Sequence, residues 1–485
     1  MQTDEFISGR LGTVARRLPD SPAMLAPDGS IISFGAMMVL VHGFSAKLTL
    51  QGLKPGARVS IYIDDPVASM ILTFALLHIG AEIYMVPKEV ASRADQGLIE
   101  WIVVTAEQTG SDKRQIVLGE DWLAPPGSPV PKQGLGSVVT GSSGTTGTPK
   151  FQRSSEAVLI ARAEAELKFR KSFDGPVFSG FGIRTAIALT LNLGILLSGN
   201  MILFNRNDEE VFLQDVEKHK VTSLRMPPLD VAALSRYLEA SGKSLIGPKR
   251  IIVSGGAISP ELAAKVEVQT GSEVYNYIGS SEAGAIAHHR PTDTPGIFGN
   301  VGQIYPHLTS RFLDENGNET DPLEGGELCL KVPPRIRKSQ YLNAEGPYDK
   351  NGWVRTGDMG HLTESGDLII AGRRHEMINV GGNKHAPSQF EKSALRMEAV
   401  HEAAAFAIRN EDGLDEIGLA VVGSPSLTEQ AVHHFVSSKL PPNYRVRVML
   451  LSELPSNSAG KIDRKKLLAE YLEHQKAISD QAASS

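Results

Sequence analysis

Strand-like and helix-like segments alternate along most of this chain, and that alternation leaves few folds open. Residues 58–63 read as a strand, 67–79 carry an unbroken apolar helix pattern that stops at Gly80, and 82–86 are strand-like again. The order returns further on. Arg250-Ile-Ile-Val-Ser254 is a strand followed by Gly255-Gly256. Ser259 and Pro260 supply an N-cap and a first-turn proline for a helix from Glu261, and 274–278 form the next strand. Such repetition predicts parallel sheets covered by helices. There is no internal repeat and no long low-complexity run. With 485 residues, 41% hydrophobic and 21% charged, the chain has enough apolar material for a large core.

The texture changes twice. Gly-, Pro- and charge-rich turns across 296–352 predict a β-rich subdomain, and 367–371 read as a short strand ending at Gly372-Arg373-Arg374-His375-Glu376. From 377 onward the pattern is two strands (403–408 and 417–423), a helix (428–440), a strand (445–451) and a final helix from Asp463. That is enough for a small α+β domain. The fold class expected is therefore α/β: a large N-terminal body of mixed and parallel sheets flanked by helices, plus the β-rich subdomain, over 1–372; a hinge at 373–376; and a small α+β C-terminal domain at 377–485. The polar, small-residue tail from Ala477 is expected to fray.

Charge and cysteine content exclude several function classes. The 49 Lys and Arg against 55 Asp and Glu give a net charge of −6, so nothing draws the chain generally to nucleic acid or to anionic membranes. The single cysteine, Cys329, forbids an intrachain disulfide and a multi-cysteine metal site. The first residues place charges where a signal peptide needs an apolar core, and the longest apolar stretch, Ala186–Leu197, is too short to span a bilayer. A cytoplasmic protein is expected.

The most informative segment is Val138-Val-Thr-Gly-Ser-Ser-Gly-Thr-Thr-Gly-Thr-Pro-Lys150. An apolar strand runs into Ser, Thr and Gly, then a lysine. Glycines let the backbone turn tightly and aim N–H groups at an anion; hydroxyls add donors and Lys150 a cation. That chemistry suits a triphosphate. It is not a Walker A loop, because Pro149 stands where that loop needs glycine. A flexible linker would need neither the preceding strand nor the Pro-Lys stop.

This segment resembles the phosphate-binding signature (S/T)SGTTGxPKG of the adenylate-forming superfamily, which comprises acyl- and aryl-CoA synthetases, adenylation domains of nonribosomal peptide synthetases, and luciferases. The resemblance continues in order along nearly the whole chain. Leu18-Pro-Asp-Ser-Pro22, Gly52-Leu-Lys-Pro-Gly-Ala-Arg-Val59 and Leu76-Leu-His-Ile-Gly-Ala81 look like the family's opening. Ser254-Gly-Gly-Ala257 is similar to its SGGA turn, Gly279-Ser-Ser-Glu282 to GxTE, and Trp353-Val-Arg-Thr-Gly-Asp358 to WxRTGD. Gly372-Arg373 resembles the domain-junction GR, Gly381-Gly382 with Pro387 and Glu391 the loop after it, and Pro455 to Lys461 with Ile462-Asp463-Arg464 the PxxxxGKIxR motif.

The resemblance implies a carboxylate plus ATP giving an acyl-adenylate and pyrophosphate, then attack by a thiol. Bringing a carboxylate to an α-phosphate needs charge neutralisation and positioning more than acid–base chemistry. By resemblance, Ser143, Thr145, Thr146 and Lys150 cradle the β- and γ-phosphates, with Thr140, Ser142, Gly144 and Gly147 completing the loop. Glu282 and Thr145 hold Mg²⁺, a hard cation that takes a carboxylate, phosphate oxygens and waters. Gly255, Gly256 and Ala257 line the acyl and adenine pockets, and Tyr277, Ile278, Gly279, Ser280 and Ser281 approach the adenine. Asp358 suits the two ribose hydroxyls, and Arg373 reaches ribose or phosphate. Lys461 is the catalytic lysine that stabilises charge on the α-phosphate. Rotation of the small domain about the hinge gives the second step, with Gly381-Gly382 beside an incoming pantetheine arm.

Some positions depart from the family pattern. Ile278 stands where an aromatic ring usually stacks on adenine, with Tyr277 one residue earlier; Phe151 replaces the glycine after Pro-Lys; and the hinge carries His375 in place of Asp or Lys. The acid pocket is expected around Phe178, Ser179, Phe181, Ile183 and Ile286, and many of its apolar residues are equally suited to a core. Ser179 lies where peptide synthetase domains carry an Asp for the substrate's ammonium, which argues against an α-amino acid. His288-His289 is no metal pair, because neighbours on a strand face opposite ways.

The reading is an ATP- and Mg²⁺-dependent acid–thiol ligase, an acyl- or aryl-CoA synthetase. The partners expected are a small carboxylic acid and CoA, or else the phosphopantetheine of a carrier protein; the sequence leaves a homodimer open. A non-catalytic nucleotide-binding relative predicts loss of Glu282, Asp358 or Lys461, and all three are present.

Overall fold

Local capping chemistry sets the helix boundaries. Asp65 accepts from the N–H groups of Val67 and Ala68 at 2.8 and 3.1 Å, Pro66 fills the first turn, and the helix Pro66–Ile79 ends at Gly80, whose φ of 89° lies in the left-handed region. A Cβ at Gly80 would also lie 2.9 Å from the backbone of Gly134, so the close approach requires glycine. The helix Pro260–Thr270 repeats the device with Ser259 as cap and Gly271 as stop.

The computed structural model describes residues 6–86, 98–106, 113–119, 122, 131–142, 150–169, 174–183, 185–204, 208–295, 297, 299–337, 340–342, 345–380, 383–410, 415–440, 444–456 and 462–483. An eight-stranded sheet runs in the order Gly284–His289, Glu273–Ser280, Arg250–Ser254, Ser223–Met226, Val177–Ser179, Ile202–Phe204, Pro22–Leu25, Ile31–Ser33; its six inner strands are parallel and both edge strands antiparallel. A seven-stranded sheet has five parallel strands, with Ser137–Ser142 among them, then the antiparallel strands Lys150–Ser155 and Gln340–Tyr341. The helices Phe34–Leu50, Pro66–Ile79, Glu156–Phe169 and Ala186–Leu197 contribute to one apolar cluster that joins the two sheets. Parallel sheets covered by helices are thus present as the alternation required.

The β-rich region is a six-stranded sheet in which every paired neighbour is antiparallel, including Trp353–Leu362 and Asp367–Arg373. It meets the first sheet where Tyr305 donates its N–H to the Ile286 carbonyl at 2.8 Å. Beyond it, Ile378–Val380 pairs with Asn383–His385, and Val400–Arg409, Asp415–Gly423 and Val446–Leu450 form a three-stranded sheet with its own apolar clusters. The last helix, Arg464–Ala483, continues past Ala477, so the backbone is helical where composition predicted fraying. No helix among the described residues is long and apolar enough to cross a membrane.

Candidate active site

The strands on either side of the glycine-rich segment pair with each other. Strand Ser137–Ser142 and strand Lys150–Ser155 are antiparallel, with Ser142 opposite Lys150, Gly141 opposite Phe151 and Thr140 opposite Gln152. Ser143, Gly144, Thr145, Thr146 and Gly147 lie outside the described residues, and only the backbone pairing of Ser142 and Lys150 is described. Phe151, the departure from the family glycine, is 2% exposed and packs with Tyr84, Ile102 and Val139. Its side chain anchors the base of the hairpin in the core.

The Gly279-Ser-Ser-Glu282 motif forms a second hairpin tip. Gly279 pairs with Ala285 and Ser280 with Gly284, next to an irregularity after Ile278. A Cβ at Gly279 would lie 2.8 Å from the Gly284 carbonyl, and Gly284 has φ of 72°, so both glycines are required. Ser280 Oγ accepts from the Ala283 N–H at 2.9 Å. Glu282 sits at the tip, and its carboxylate accepts from the Tyr341 hydroxyl at 2.5 Å. Tyr341 is itself the register partner of Gln152, which pairs with Thr140. At about 4.8 Å per strand, Tyr341, Gln152 and Thr140 make a short row across three strands, and Glu282 is tied to one end of it. Glu282 and Thr140, from motifs far apart in sequence, are thereby linked through one row of paired residues.

Asp358 and Arg373 face each other across the antiparallel strands of the third sheet. The guanidinium Nε lies 2.9 Å from the buried Asp358 carboxylate, and Arg373 Nη1 donates to the Thr356 carbonyl at 2.9 Å. Arg374 ties the next residue to Glu327 at 2.8 Å. Burial pushes the Glu327 carboxyl up, but hydrogen bonds from Arg355 and Arg374 outweigh it and hold Glu327 below its ordinary value.

The Ser254-Gly-Gly-Ala257 turn follows strand Arg250–Ser254. Gly255 has φ of 91°, and a Cβ at Gly256 would lie 3.1 Å from Pro228, so this turn closes against the helix Pro228–Ser241. Tyr277 is buried beside Ala285 and Tyr305, and its hydroxyl donates to Glu166. Ile278 packs against the core of the third sheet.

The expected acid-pocket residues divide by strand alternation. Phe178 packs edge-on against Phe212 in the core on one face of the eight-stranded sheet. Ser179 points the other way and donates to Asn192 Oδ1 at 2.8 Å, while Asn192 Nδ2 donates to the Gly182 carbonyl at 2.8 Å. Ile183 and Ile286 are core residues, 5% and 0% exposed; Phe181 alone of the apolar four is only half-buried. Sequence reasoning passed over Asp230. Its carboxylate comes within 3.6 Å of a Cβ built on Gly180, and burial raises its pKa. His288 reaches Tyr305 and His289 reaches Thr294, on opposite faces as expected.

Lys461, Gly381 and Gly382 lie outside the described residues, but their flanks are described. Val380 pairs with Asn383 around the two glycines. Ser456 bridges to Ile462, and Asp463 N–H donates to the Pro455 carbonyl at 2.8 Å, closing the base of the loop that bears Lys461. Arg464 then donates to Glu391 at 2.6 Å, to Glu376 at 3.1 Å and to the Ala405 carbonyl at 2.9 Å. One guanidinium therefore joins Glu376 and Glu391 to the start of the last helix.

Residues 87–334 match the profile of the AMP-binding enzyme family, more than half of the chain. The chain belongs to the AMP-binding enzyme family. Among curated AMP-binding relatives, the sulfoacetate–CoA ligase of Cupriavidus necator is 25% identical, covering 96% of this chain and 97% of that protein. The 2-hydroxy-7-methoxy-5-methyl-1-naphthoate–CoA ligase of Streptomyces carzinostaticus is 25% identical over 95% of this chain and 92% of its own. The fold of this AMP-binding enzyme is shared with the o-succinylbenzoate CoA synthetase of Bacillus subtilis, solved with its acyl-adenylate intermediate. The TM-score is 0.81 at 18% identity, covering 94% and 97% of the two chains. It is also shared with an amide bond synthetase from Marinactinospora thermotolerans, at TM-score 0.78 and 19% identity, covering 96% and 99%.

Proposed function

We propose that this chain joins a carboxylic acid to coenzyme A in two steps. The acid's carboxylate attacks the α-phosphate of ATP, forming an acyl-adenylate and releasing pyrophosphate. The CoA thiol then attacks the acyl carbon, giving a thioester and AMP. The observation that carries the reading is the Tyr341–Glu282 hydrogen bond, which supports a carboxylate held beside the row leading to the phosphate loop.

Roles follow from chemistry. The 143–149 loop with Lys150 binds the β- and γ-phosphates. Glu282 offers a hard oxygen ligand on a fixed turn, which fits Mg²⁺ beside phosphate oxygens, with Thr145 as a second oxygen donor. The metal, when bound, supplies charge neutralisation. Asp358 accepts from the ribose hydroxyls, with its carboxylate aimed by Arg373. Lys461 neutralises charge at the α-phosphate. The division at 373–376 lets residues 377–485 rotate on 1–372, with Arg374 and Glu376 anchored on either side of His375. The setting is cytoplasmic, where ATP and CoA are supplied.

The buried Ser179–Asn192 pair presents neutral groups, and burial works against the charged form of the nearby Asp230, which favours an acid without an α-amino group. The relatives' acids include a sulfonate and a naphthoate, so both small anionic and aromatic acids belong in the test. Pyrophosphate release is measured across a panel of carboxylic acids with and without CoA, and thioesters are read by mass spectrometry. Acid-dependent release followed by a CoA thioester is expected. No release with any acid, together with no ATP binding, overturns the enzyme reading. Release that never yields a CoA thioester overturns CoA as acceptor and points to a carrier-protein thiol.

A further inference from the structure

The helix Glu156–Phe169 begins directly after strand Lys150–Ser155, so it is the continuation of the phosphate-loop hairpin. Its first residue is fully buried and fixed. Glu156 accepts from the Ile7 and Gly136 N–H groups at 2.9 and 3.0 Å and from Lys132 at 2.5 Å. Two turns on, Arg162 is 4% exposed. Its guanidinium donates to the Ser281 carbonyl at 2.6 Å, the Glu282 carbonyl at 2.6 Å, and the Ile336 carbonyl at 3.1 Å from Nε and 2.9 Å from Nη2. One further turn on, Glu166 accepts the hydroxyl of Tyr277. The same helix face therefore holds both ends of the segment from Tyr277 to Glu282.

The bonds are directional. Both tip carbonyls turn inward to the guanidinium, and Tyr348 adds a second donor to the Glu282 carbonyl at 2.7 Å. The Glu282 carboxylate meets Tyr341 instead. Gly284 is packed against the Arg162 stem, where a Cβ would lie 3.7 Å from Cγ. A guanidinium fork is planar and binds several carbonyls in one geometry, whereas an ammonium is a single point charge. A carboxylate serving a metal must be held to within about 0.5 Å.

We propose that Arg162, seconded by Glu166, is the positioning residue that fixes the Glu282 carboxylate relative to strand Lys150–Ser155, and so sets this enzyme's affinity for Mg²⁺ with ATP. Arg162 touches neither substrate nor metal. It acts through the backbone of Glu282. This inference rests on the proposed function.

The test compares the wild-type chain with Arg162→Lys and Tyr348→Phe. ATP binding is measured by calorimetry across a Mg²⁺ series and again in EDTA, alongside pyrophosphate release and melting temperature. The expected result for Arg162→Lys is a rise of at least tenfold in the Mg²⁺ needed for half-maximal ATP binding and release, with ATP affinity in EDTA unchanged. Tyr348→Phe, which removes one bond to the same carbonyl, is expected to shift the Mg²⁺ requirement two- to fivefold in the same direction, and it decides the matter if the lysine variant fails to fold. Mg²⁺ requirements within twofold of wild type in a folded variant, or equal losses with Mg²⁺ and in EDTA, overturn the proposal and leave Arg162 a folding residue. A wild-type chain that binds ATP with Mg²⁺ but releases no pyrophosphate would instead count against the ligase reading, because the calorimetry does not depend on turnover.

Discussion

Replacing Arg464 by Met removes the charge that links Glu376 and Glu391 to the last helix while keeping most of the aliphatic stem. Arg464 has 22% of its side chain exposed and Glu391 only 9%, so their 2.6 Å pair is largely out of water. Burial works against the guanidinium's charge, but Glu391 and Glu376 outweigh it and raise its pKa. Deleting one partner of a buried pair costs about 3–5 kcal/mol, because the other charge is left behind. Here Glu391 keeps the Ala405 N–H at 2.9 Å, which sets the expectation at the lower end, about 3 kcal/mol. The more exposed Glu376 pair, at 28%, adds only about 0–1 kcal/mol. Hydrogen exchange read by mass spectrometry should then speed up in Val400–Arg409 and Arg464–Ala483 and not in the eight-stranded sheet. Adenylation should fall with it, since the base of the Lys461 loop is closed by the residues just before Arg464. The double variant with Glu391→Gln should recover part of the loss, because the stranded charge is gone. Unchanged exchange in both segments of the single variant, or a double variant less stable than the sum of the singles, refutes the reasoning.

Other outcomes follow from the same geometry. Glu282→Gln should lower pyrophosphate release by about 100-fold, the loss of about 2.7 kcal/mol of transition-state stabilisation, with ATP binding in EDTA unchanged; equal release at saturating Mg²⁺ removes Glu282 from the site. Glu327 is held below the ordinary glutamate value, so the stability it lends is complete above about pH 4.3 and is lost as pH falls through its folded value. The melting-temperature gap between wild type and Glu327→Gln should therefore be constant near neutrality and shrink in acid; a gap that widens in acid contradicts the sign. Gly302→Ala should cost about 2 kcal/mol or more in thermal unfolding, since φ is 76° and the added Cβ would meet the His288 carbonyl at 2.3 Å.

Local chemistry was readable where it is carried by neighbours in sequence. Gly80 stops one helix and Ser259-Pro260 opens another, because caps and stops act within a turn. The parallel sheets followed from segment alternation, and the family from motifs whose chemistry is written in consecutive residues. Which way a side chain faces was less legible. Phe178 and Ser179 are neighbours in sequence yet project to opposite faces, and only the packing of Phe212 and Asn192 distinguishes them.

The sequence by itself determined the α/β architecture, the family and the motifs whose residues the proposed reaction draws on. Tertiary structure alone decided what holds those residues. Arg162 reaches carbonyls 119, 120 and 174 positions away, and Tyr341 reaches Glu282 across 59. Arg162 has no motif, because a hydrogen bond to a backbone carbonyl asks nothing of the side chain it positions, and Tyr341 reaches the Glu282 carboxylate from a strand outside every motif. The reason is physical: binding chemistry is local to a loop, whereas the rigidity that aims it comes from strands and helices that meet only when the chain has folded.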